Sequence, residues 1–186
     1  MSSPNVMRRA DLVMPEEDVK LLLEQGHCAR LATTGADGWP YVLPMLFVWR
    51  DPHLYFHTSS ALGHLAANLS HDSRVCMVID EPGSVYGYGR FECDSSISYR
   101  SVMAFGTVHE VQDPAEKSLF CDELMRKYGG GITGRPQGFY PRLAHIDVRR
   151  IVVDRMSGKR IELPQPAARW PANDRTRSPD LPPGGP

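Results

Sequence analysis

Three adjacent hydroxyl residues near the first third of the chain could bind an anion. Thr58, Ser59 and Ser60 follow the apolar run Leu54 to His57 and precede a segment with helical periodicity. The first N–H groups of a helix lack intrahelical partners and carry the positive end of the helix dipole, so hydroxyl groups beside them favour a phosphate. The pattern therefore predicts a phosphate cradle. The alternative is that Ser59 or Ser60 is a plain helix N-cap, which would use the same N–H groups without a ligand.

The remaining chemistry-bearing residues favour neither a metal site nor a nucleophile. The four cysteines lie far apart without a Cys-x-x-Cys pair, which indicates reduced thiols, and the seven histidines lack the spacing of metal ligands. We expect no metal. His57 is the one side chain near the cradle that could donate a proton, because imidazole titrates near neutral pH. The alternative is that His57 only closes the end of a strand with a backbone hydrogen bond.

Composition restricts the class of protein. With 186 residues, 41% of them hydrophobic, the chain can form one domain with a sizeable core. It carries 21 basic and 22 acidic residues without a basic stripe, which argues against nucleic acid as a partner. The sequence shows no membrane-spanning segment and no signal peptide, so we expect a cytoplasmic protein. Residues 1–14 are predicted to be a flexible N-terminus, 15–163 the domain, and 164–186 a proline-rich disordered tail.

The hydrophobic pattern predicts a mainly β fold with three short helices. Six strands are expected, at 28–34, 41–49, 54–57, 74–79, 98–111 and 144–163. The turns between the first three strands are too short for parallel crossovers, so the class is a closed or partly closed antiparallel barrel. Pro44 lacks a backbone N–H, which places its strand at an edge or at a bulge. Residues 81–96 are expected to form a long loop, whose Tyr86, Tyr88 and Phe91 could cover a planar ligand.

The three helices have clear sequence signals. The first is expected to begin at Pro15, with acidic residues at 16–18 in its first turn, and to end at Gly26. After the cradle, Leu62, Leu65, Ala66 and Leu69 form an apolar stripe, with Asn68 assigned to the opposite, polar face. Another helix is expected to begin after Asp113 and to end at the glycines 129–131.

Five segments, in this order, resemble the FMN-binding split-barrel family, the pyridoxamine 5'-phosphate oxidase-like group, and within it the nitroimidazole-resistance-type branch. They are Cys-Ala-Arg-Leu-Ala-Thr at 28–33, Pro-Tyr-Val-Leu-Pro-Met-Leu-Phe at 40–47, Leu-Tyr-Phe-His at 54–57, Arg-Val-Cys at 74–76 and Tyr-Arg-Ser-Val-Met-Ala-Phe-Gly at 99–106. The resemblance covers about residues 16–163. It implies a six-stranded antiparallel split β-barrel that forms a homodimer, with FMN in a groove between the two subunits.

The same resemblance implies which residues contact the cofactor. It places the flavin ring along Leu43, Pro44, Met45 and Leu46, the phosphate at His57, Thr58, Ser59 and His64, and a contact to the flavin edge at Ser101. Relatives usually carry lysine or arginine where this chain has His64, and a neutral imidazole donates only one hydrogen bond. The affinity for FMN is therefore expected to be modest and pH-dependent, unless Arg30, Arg74 or Arg100 compensates.

The implied function is that of an FMN-dependent oxidoreductase. Such an enzyme would take hydride from NADH or NADPH and reduce a small planar substrate such as a nitroaromatic. True pyridoxamine phosphate oxidases carry a substrate-gripping Arg-x-His-type motif, and this chain has His145 to Arg150 (His-Ile-Asp-Val-Arg-Arg) there instead, so we do not expect oxidation of vitamin B6. The alternatives are a non-catalytic protein that stores or senses FMN, one that binds haem through His57 or His64, one that binds a deazaflavin, and a structural homodimer with an empty groove.

Overall fold

A computed structural model describes residues 9–59, 63–88, 91, 93–130 and 138–165. In this part of the chain the helices are α1 (Glu16–Gln25), α2 (His64–His71) and α3 (Pro114–Tyr128). The strands are β1 (Ala29–Thr34), β2 (Pro40–Met45), β3 (Val48–Arg50), β4 (His53–Ser59), β5 (Arg74–Gly87), β6 (Ser95–Glu110) and β7 (Ile146–Ile161). Short 3-10 turns at Ala10–Leu12 and Leu143–His145 complete the described structure.

The strands form one sheet in the order β2-β1-β5-β6-β7-β4-β3. The registered pairs β1 with β2, β1 with β5, β3 with β4 and β4 with β7 are all antiparallel. The mainly β, antiparallel class is therefore confirmed, and it is consistent with a split barrel. Strand β2 lies at one edge, as Pro44 predicts. Strand β3 lies at the other, and no pairing between the described residues of β2 and β3 closes the sheet.

The expected count of six strands is wrong, because the predicted strand 41–49 is two strands. Leu46 and Phe47 separate β2 from β3. The backbone N–H of Phe47 donates to the Tyr128 hydroxyl at 3.3 Å, and that hydroxyl donates to the carbonyl oxygen of Phe47 at 3.0 Å. A side chain of α3 thus satisfies the backbone groups that a continuous strand would have used in its ladder.

Residues 81–96 were predicted to be a long loop, and this prediction is also wrong. Strand β5 continues to Gly87 and β6 begins at Ser95, so Tyr86 lies in a strand. The hydroxyl of Ser98 accepts from the N–H of Ser84 at 2.9 Å and donates to its carbonyl oxygen at 3.3 Å, which joins the two extensions. The polar composition of this segment reflects exposed strands rather than an irregular loop.

The ends of α1 and α3 follow their sequence signals. Helix α1 begins directly after Pro15, and the N–H of Gly26 donates to the carbonyl oxygen of Leu22 at its end. At the start of α3 the carboxylate of Asp113 accepts from the N–H of Ala115 at 3.0 Å. Both helices are thus confirmed, and they are fixed by local capping chemistry.

The chain divides into two units. The larger comprises residues 14–80 and 101–158 and contains two apolar clusters, one between the sheet and helices α1 and α2, the other around α3. The smaller comprises 1–13, 81–100 and 159–186, of which 1–8, 89–90, 92 and 166–186 lie outside the described residues. In the smaller unit Val13 forms a β-bridge with Lys159, and Arg100 forms an ion pair with Glu81. The predicted flexible N-terminus and disordered tail fall largely outside the described residues and stay predictions.

Lys127, near the end of α3, gives the larger unit a pH-sensitive contact. Its ammonium group donates to the carbonyl oxygen of Leu23 in α1 at 3.1 Å and lies 3.5 Å from the centre of the Phe47 ring. Burial, followed by the nearby charge of Arg126, lowers the pKa of Lys127 from 10.5 to about 8. The folded protein therefore releases this proton at a lower pH than the unfolded chain does.

We expect stability to rise with pH across the window from about 8 to 10.5 because of Lys127. In that window the unfolded chain binds the proton and the folded chain does not, so raising the pH favours folding. Urea denaturation at several pH values should show this rise in the wild type and its loss in Lys127→Met. Lys20→Met, at an exposed lysine of α1 paired with Glu16, should keep the rise. A rise of equal size in Lys127→Met would contradict the assignment.

Candidate functional site

Strand β2 presents an exposed apolar face at the edge of the sheet. The side chains of Val42 and Pro44, and of Leu46 directly after the strand, point to solvent, with Val42 58% and Leu46 43% exposed. Leu43 and Met45 alternate with them and pack against the first apolar cluster. Of the four residues predicted to lie along a flavin ring, only Pro44 and Leu46 therefore offer side chains, whereas Leu43 and Met45 offer backbone groups on an edge strand.

The start of α2 lies beside the start of β2. The imidazole of His64, the first residue of the helix, packs edge-on against the ring of Tyr41, with centroids 5.6 Å apart and an interplanar angle of 81°. His64 is exposed, so its remaining ring atoms are open to a ligand. Two of the segments predicted to hold the cofactor, β2 and the start of α2, are thus in contact.

A buried hydrogen-bond chain holds this arrangement in place. The side-chain amide of Asn68 in α2 donates to the hydroxyl of Thr33 in β1 at 3.0 Å, and that hydroxyl donates to the carbonyl oxygen of Tyr41 at 3.5 Å. Asn68 is 9% and Thr33 3% exposed. The assignment of Asn68 to a polar face is wrong. Its spacing of three residues from Leu65 places it on the apolar stripe, which is the signal that could have identified it.

Replacing Asn68 with leucine should lower the free energy of unfolding by about 1–2 kcal/mol, because the Thr33 hydroxyl would lose its buried donor. The matched control is the double variant Thr33→Val with Asn68→Leu, which removes both polar partners and should regain most of the loss. Urea denaturation measures both effects. A double variant less stable than Asn68→Leu alone would contradict this account, since it would show that each group has other essential contacts.

The hydroxyl residues of the predicted cradle stand ahead of the helix and not at its first turn. Thr58 and Ser59 are the last residues of β4, and the N-cap of α2 is Gly63, whose φ of −152° and ψ of −179° are extended and which provides no side-chain cap. The N-cap alternative is therefore wrong for Ser59, and Ser60 lies outside the described residues. Ser59 is exposed and Thr58 half-buried, and their predicted contact with a phosphate stays a prediction.

His57 lies against α3 beside the second apolar cluster. Its ring centre is 5.7 Å from that of Phe120, and its β7 partner is Val148. Burial lowers the pKa of His57, which disfavours the imidazolium form that a proton donor would use. Its Nδ1 atom is buried and has no hydrogen-bond partner among the residues that the structure describes. The prediction that His57 is catalytic stays a prediction.

The three arginines considered as compensating cations all have carboxylate partners. Arg30 is paired with Asp80, Arg74 with Asp72 and Arg100 with Glu81. The hydrogen bonds from Arg74 also hold the pKa of Asp72 down at about 2. These guanidinium groups are therefore already paired with carboxylates. His64, at the junction of β2 and α2, is the remaining candidate for a basic group at the predicted phosphate site.

Ser101 stands in β6 at a half-buried position. In the sheet, β6 is separated from β2 by β5 and β1. The predicted contact of Ser101 with a flavin edge therefore stays a prediction. Among the residues that the structure describes, no helix is long and apolar enough to cross a membrane.

Comparison with known proteins gives one family and a set of similar folds. A family model described as pyridoxamine 5'-phosphate oxidase matches residues 15–160. Among curated proteins, none matches this chain. A solved structure of a candidate 5-nitroimidazole antibiotic resistance protein from Bacteroides thetaiotaomicron is 25% identical, with a TM-score of 0.65, over 80% of this chain and 85% of that one.

Two other similar structures share the fold at lower identity. The flavocytochrome Anf3 from Azotobacter vinelandii is 23% identical, with a TM-score of 0.69, over 88% of this chain and 77% of that one. The FAD and heme binding protein from Mycobacterium smegmatis is 22% identical, with a TM-score of 0.63, over 80% of this chain and 72% of that one. The antiparallel architecture of the sheet is thus that of a known fold.

Proposed function

Because the chain belongs to the pyridoxamine 5'-phosphate oxidase family, we propose that it binds a flavin, specifically FMN, where β2 meets the start of α2. The observation that carries the proposal is the contact between His64 and Tyr41, which brings the edge strand β2 and a helix start together. One of the similar structures is of a flavocytochrome and another is of an FAD and heme binding protein, which supports the cofactor class.

The residues present fit the parts of FMN. The side chains of Pro44 and Leu46 offer an apolar surface to a planar ring, and the outer edge of β2 offers backbone donors and acceptors to its polar edge. The hydroxyls of Thr58 and Ser59 and the imidazole of His64 can donate hydrogen bonds to a phosphate. None of the described residues at this junction carries a permanent positive charge toward the phosphate, so we expect modest affinity.

We assign the protein the role of an NADH- or NADPH-dependent reductase of a small planar acceptor such as a nitroaromatic. A bound flavin supplies the two-electron chemistry. This chain would bind and orient the ring along β2 and exclude water from its apolar side at Pro44 and Leu46. The similarity to a candidate nitroimidazole resistance protein supports a nitroaromatic acceptor.

A homodimer with the flavin at the subunit interface is part of the same proposal. The exposed Val42, Pro44 and Leu46 form an apolar face on an edge strand, a type of surface that proteins commonly cover with a partner. Light scattering should give twice the mass of the chain, and Val42→Glu should shift the protein toward monomer. The control is Val85→Glu, at an exposed position of the smaller unit, which should leave the measured mass unchanged. A wild-type monomer would exclude the interfacial site.

Haem binding is the second candidate function, and one observation favours it. The Nδ1 atom of His57 is buried without a partner among the described residues, and neutral imidazole is a common iron ligand. In this case the protein would store or sense a cofactor, or transfer electrons, rather than reduce a substrate at β2.

An absorption spectrum of the purified protein, before and after titration with FMN, FAD or haemin, tests these proposals. Saturable quenching of FMN fluorescence with the paired near-ultraviolet and blue bands would support the flavin site. Tighter binding of FAD than of FMN would replace FMN by FAD. An intense Soret band that His57→Gln removes would favour haem, and no binding of any of the three would leave the chain without a cofactor.

A further inference from the structure

A cavity of about 580 Å³ opens in the larger unit beside α3 and the start of β7. Cys121 contributes to it from α3, Ile146 from β7, and Phe139, Tyr140 and Leu143 from the segment between them. Cavities of this volume with mostly apolar walls are typical sites for small organic ligands.

This cavity is separate from the junction of β2 and α2. Among the described residues that line the cavity, none belongs to β2 or α2. Ile146, which lines the cavity, is the β7 partner of Ser59, a residue of the proposed phosphate site, so the cavity adjoins that part of the site. The proposed position of the flavin ring along β2 therefore does not account for this cavity.

One charged side chain of the cavity has no ionic partner in the part of the chain that the structure describes. The Tyr140 hydroxyl donates to the carboxylate of Asp122, so both of these polar groups are engaged. Burial, together with this hydrogen bond, raises the pKa of Tyr140 to about 12, and it stays a neutral donor to Asp122. Arg142 also lines the cavity and forms no ion pair with any residue in the described part of the chain.

We propose that this cavity binds a small organic acid whose single carboxylate is attached to an apolar body. The guanidinium of Arg142 meets the carboxylate, since two parallel N–H donors match its geometry. The rings of Phe139 and Tyr140 and the side chain of Leu143 contact the body. The charge of Arg142 excludes an organic cation, and the apolar walls disfavour a small hydrophilic anion such as inorganic phosphate.

Calorimetric titration of the full chain with 2-naphthoate, and with the neutral analogue 2-naphthalenemethanol, tests the proposal. We expect saturable binding of 2-naphthoate, and we expect Arg142→Gln to weaken it about tenfold. The affinity for the neutral analogue should fall less than about twofold in the same variant. Arg126→Gln is the matched control, because Arg126 is an exposed guanidinium of α3 that does not line the cavity. Octanoate in place of 2-naphthoate distinguishes an aliphatic from an aromatic body.

A second variant tests the location without depending on charge. Leu143→Trp should fill the cavity and weaken the binding of both naphthyl compounds about tenfold or more. Circular dichroism should confirm that this variant is folded. Saturating FMN should leave the affinity for 2-naphthoate within about twofold. The proposal is overturned if 2-naphthoate does not bind, if Arg142→Gln and Arg126→Gln have equal effects, or if FMN displaces the acid, which would assign the cavity to the flavin site.

Discussion

Replacing Gly106 with alanine is expected to lower the free energy of unfolding by about 3 kcal/mol or more, at the upper end of overpacking effects. A Cβ atom at Gly106 in β6 would lie 2.1 Å from the carbonyl oxygen of Val152 and 2.9 Å from the Cγ2 atom of Ile151, both in β7. The Val152 oxygen is a backbone atom, so no side-chain rotation relieves the contact. The two strands would have to separate at the centre of the sheet.

The control for this prediction is Gly63→Ala. A Cβ atom there has no neighbour within 4 Å among the residues that the structure describes, and the extended backbone of Gly63 is open to any residue. We therefore expect a loss of no more than about 1 kcal/mol, the usual effect of alanine at a helix N-cap. Urea denaturation with unchanged m values measures both variants. If Gly106→Ala were as stable as Gly63→Ala, the close approach of β6 to β7 would have to be absent in solution.

Sequence signals predicted the elements whose ends depend on local chemistry. Pro15 and Gly26 mark α1, Asp113 marks the start of α3, and the missing N–H of Pro44 places β2 at the sheet edge. In each case a backbone group is satisfied, or cannot be satisfied, within a few residues of the chain. Such signals can be read without knowing the rest of the fold.

Features that depend on distant partners could not be predicted in the same way. The break at Phe47 requires the hydroxyl of Tyr128, which is 81 positions away in the sequence. The burial of Asn68 requires the hydroxyl of Thr33, 35 positions away. The local sequence pattern shows that these side chains are polar. It does not show which distant residue provides the hydrogen bond that a buried polar group needs.

The same distinction between local signals and distant partners applies to the candidate site. The sequence identified β2 and the start of α2, and the contact of Tyr41 with His64 shows that they adjoin. It could not show that Arg30 is already paired with Asp80, because an ion pair between strands depends on the order of the sheet. The pairing leaves His64 as the residue on which phosphate affinity is expected to depend.

Exchanging His64 for lysine is therefore expected to tighten FMN binding about tenfold, and exchanging it for glutamate to weaken it about tenfold. The two variants would then differ about a hundredfold. A lysine adds a permanent positive charge beside the N–H groups of α2, whereas a glutamate places a negative charge against the phosphate. Both changes are at an exposed position, so neither should affect folding. Fluorescence titration gives the dissociation constants.

Riboflavin separates a phosphate contact from every other role of His64, because it has the same ring without the phosphate. Its affinity should change by less than about twofold in both variants. His71→Lys, at the opposite end of α2, adds the same charge away from the helix start and should leave FMN binding nearly unchanged. If riboflavin and FMN lost affinity equally in His64→Glu, the residue would act through the ring of Tyr41 and the shape of β2, and the phosphate would have to bind elsewhere.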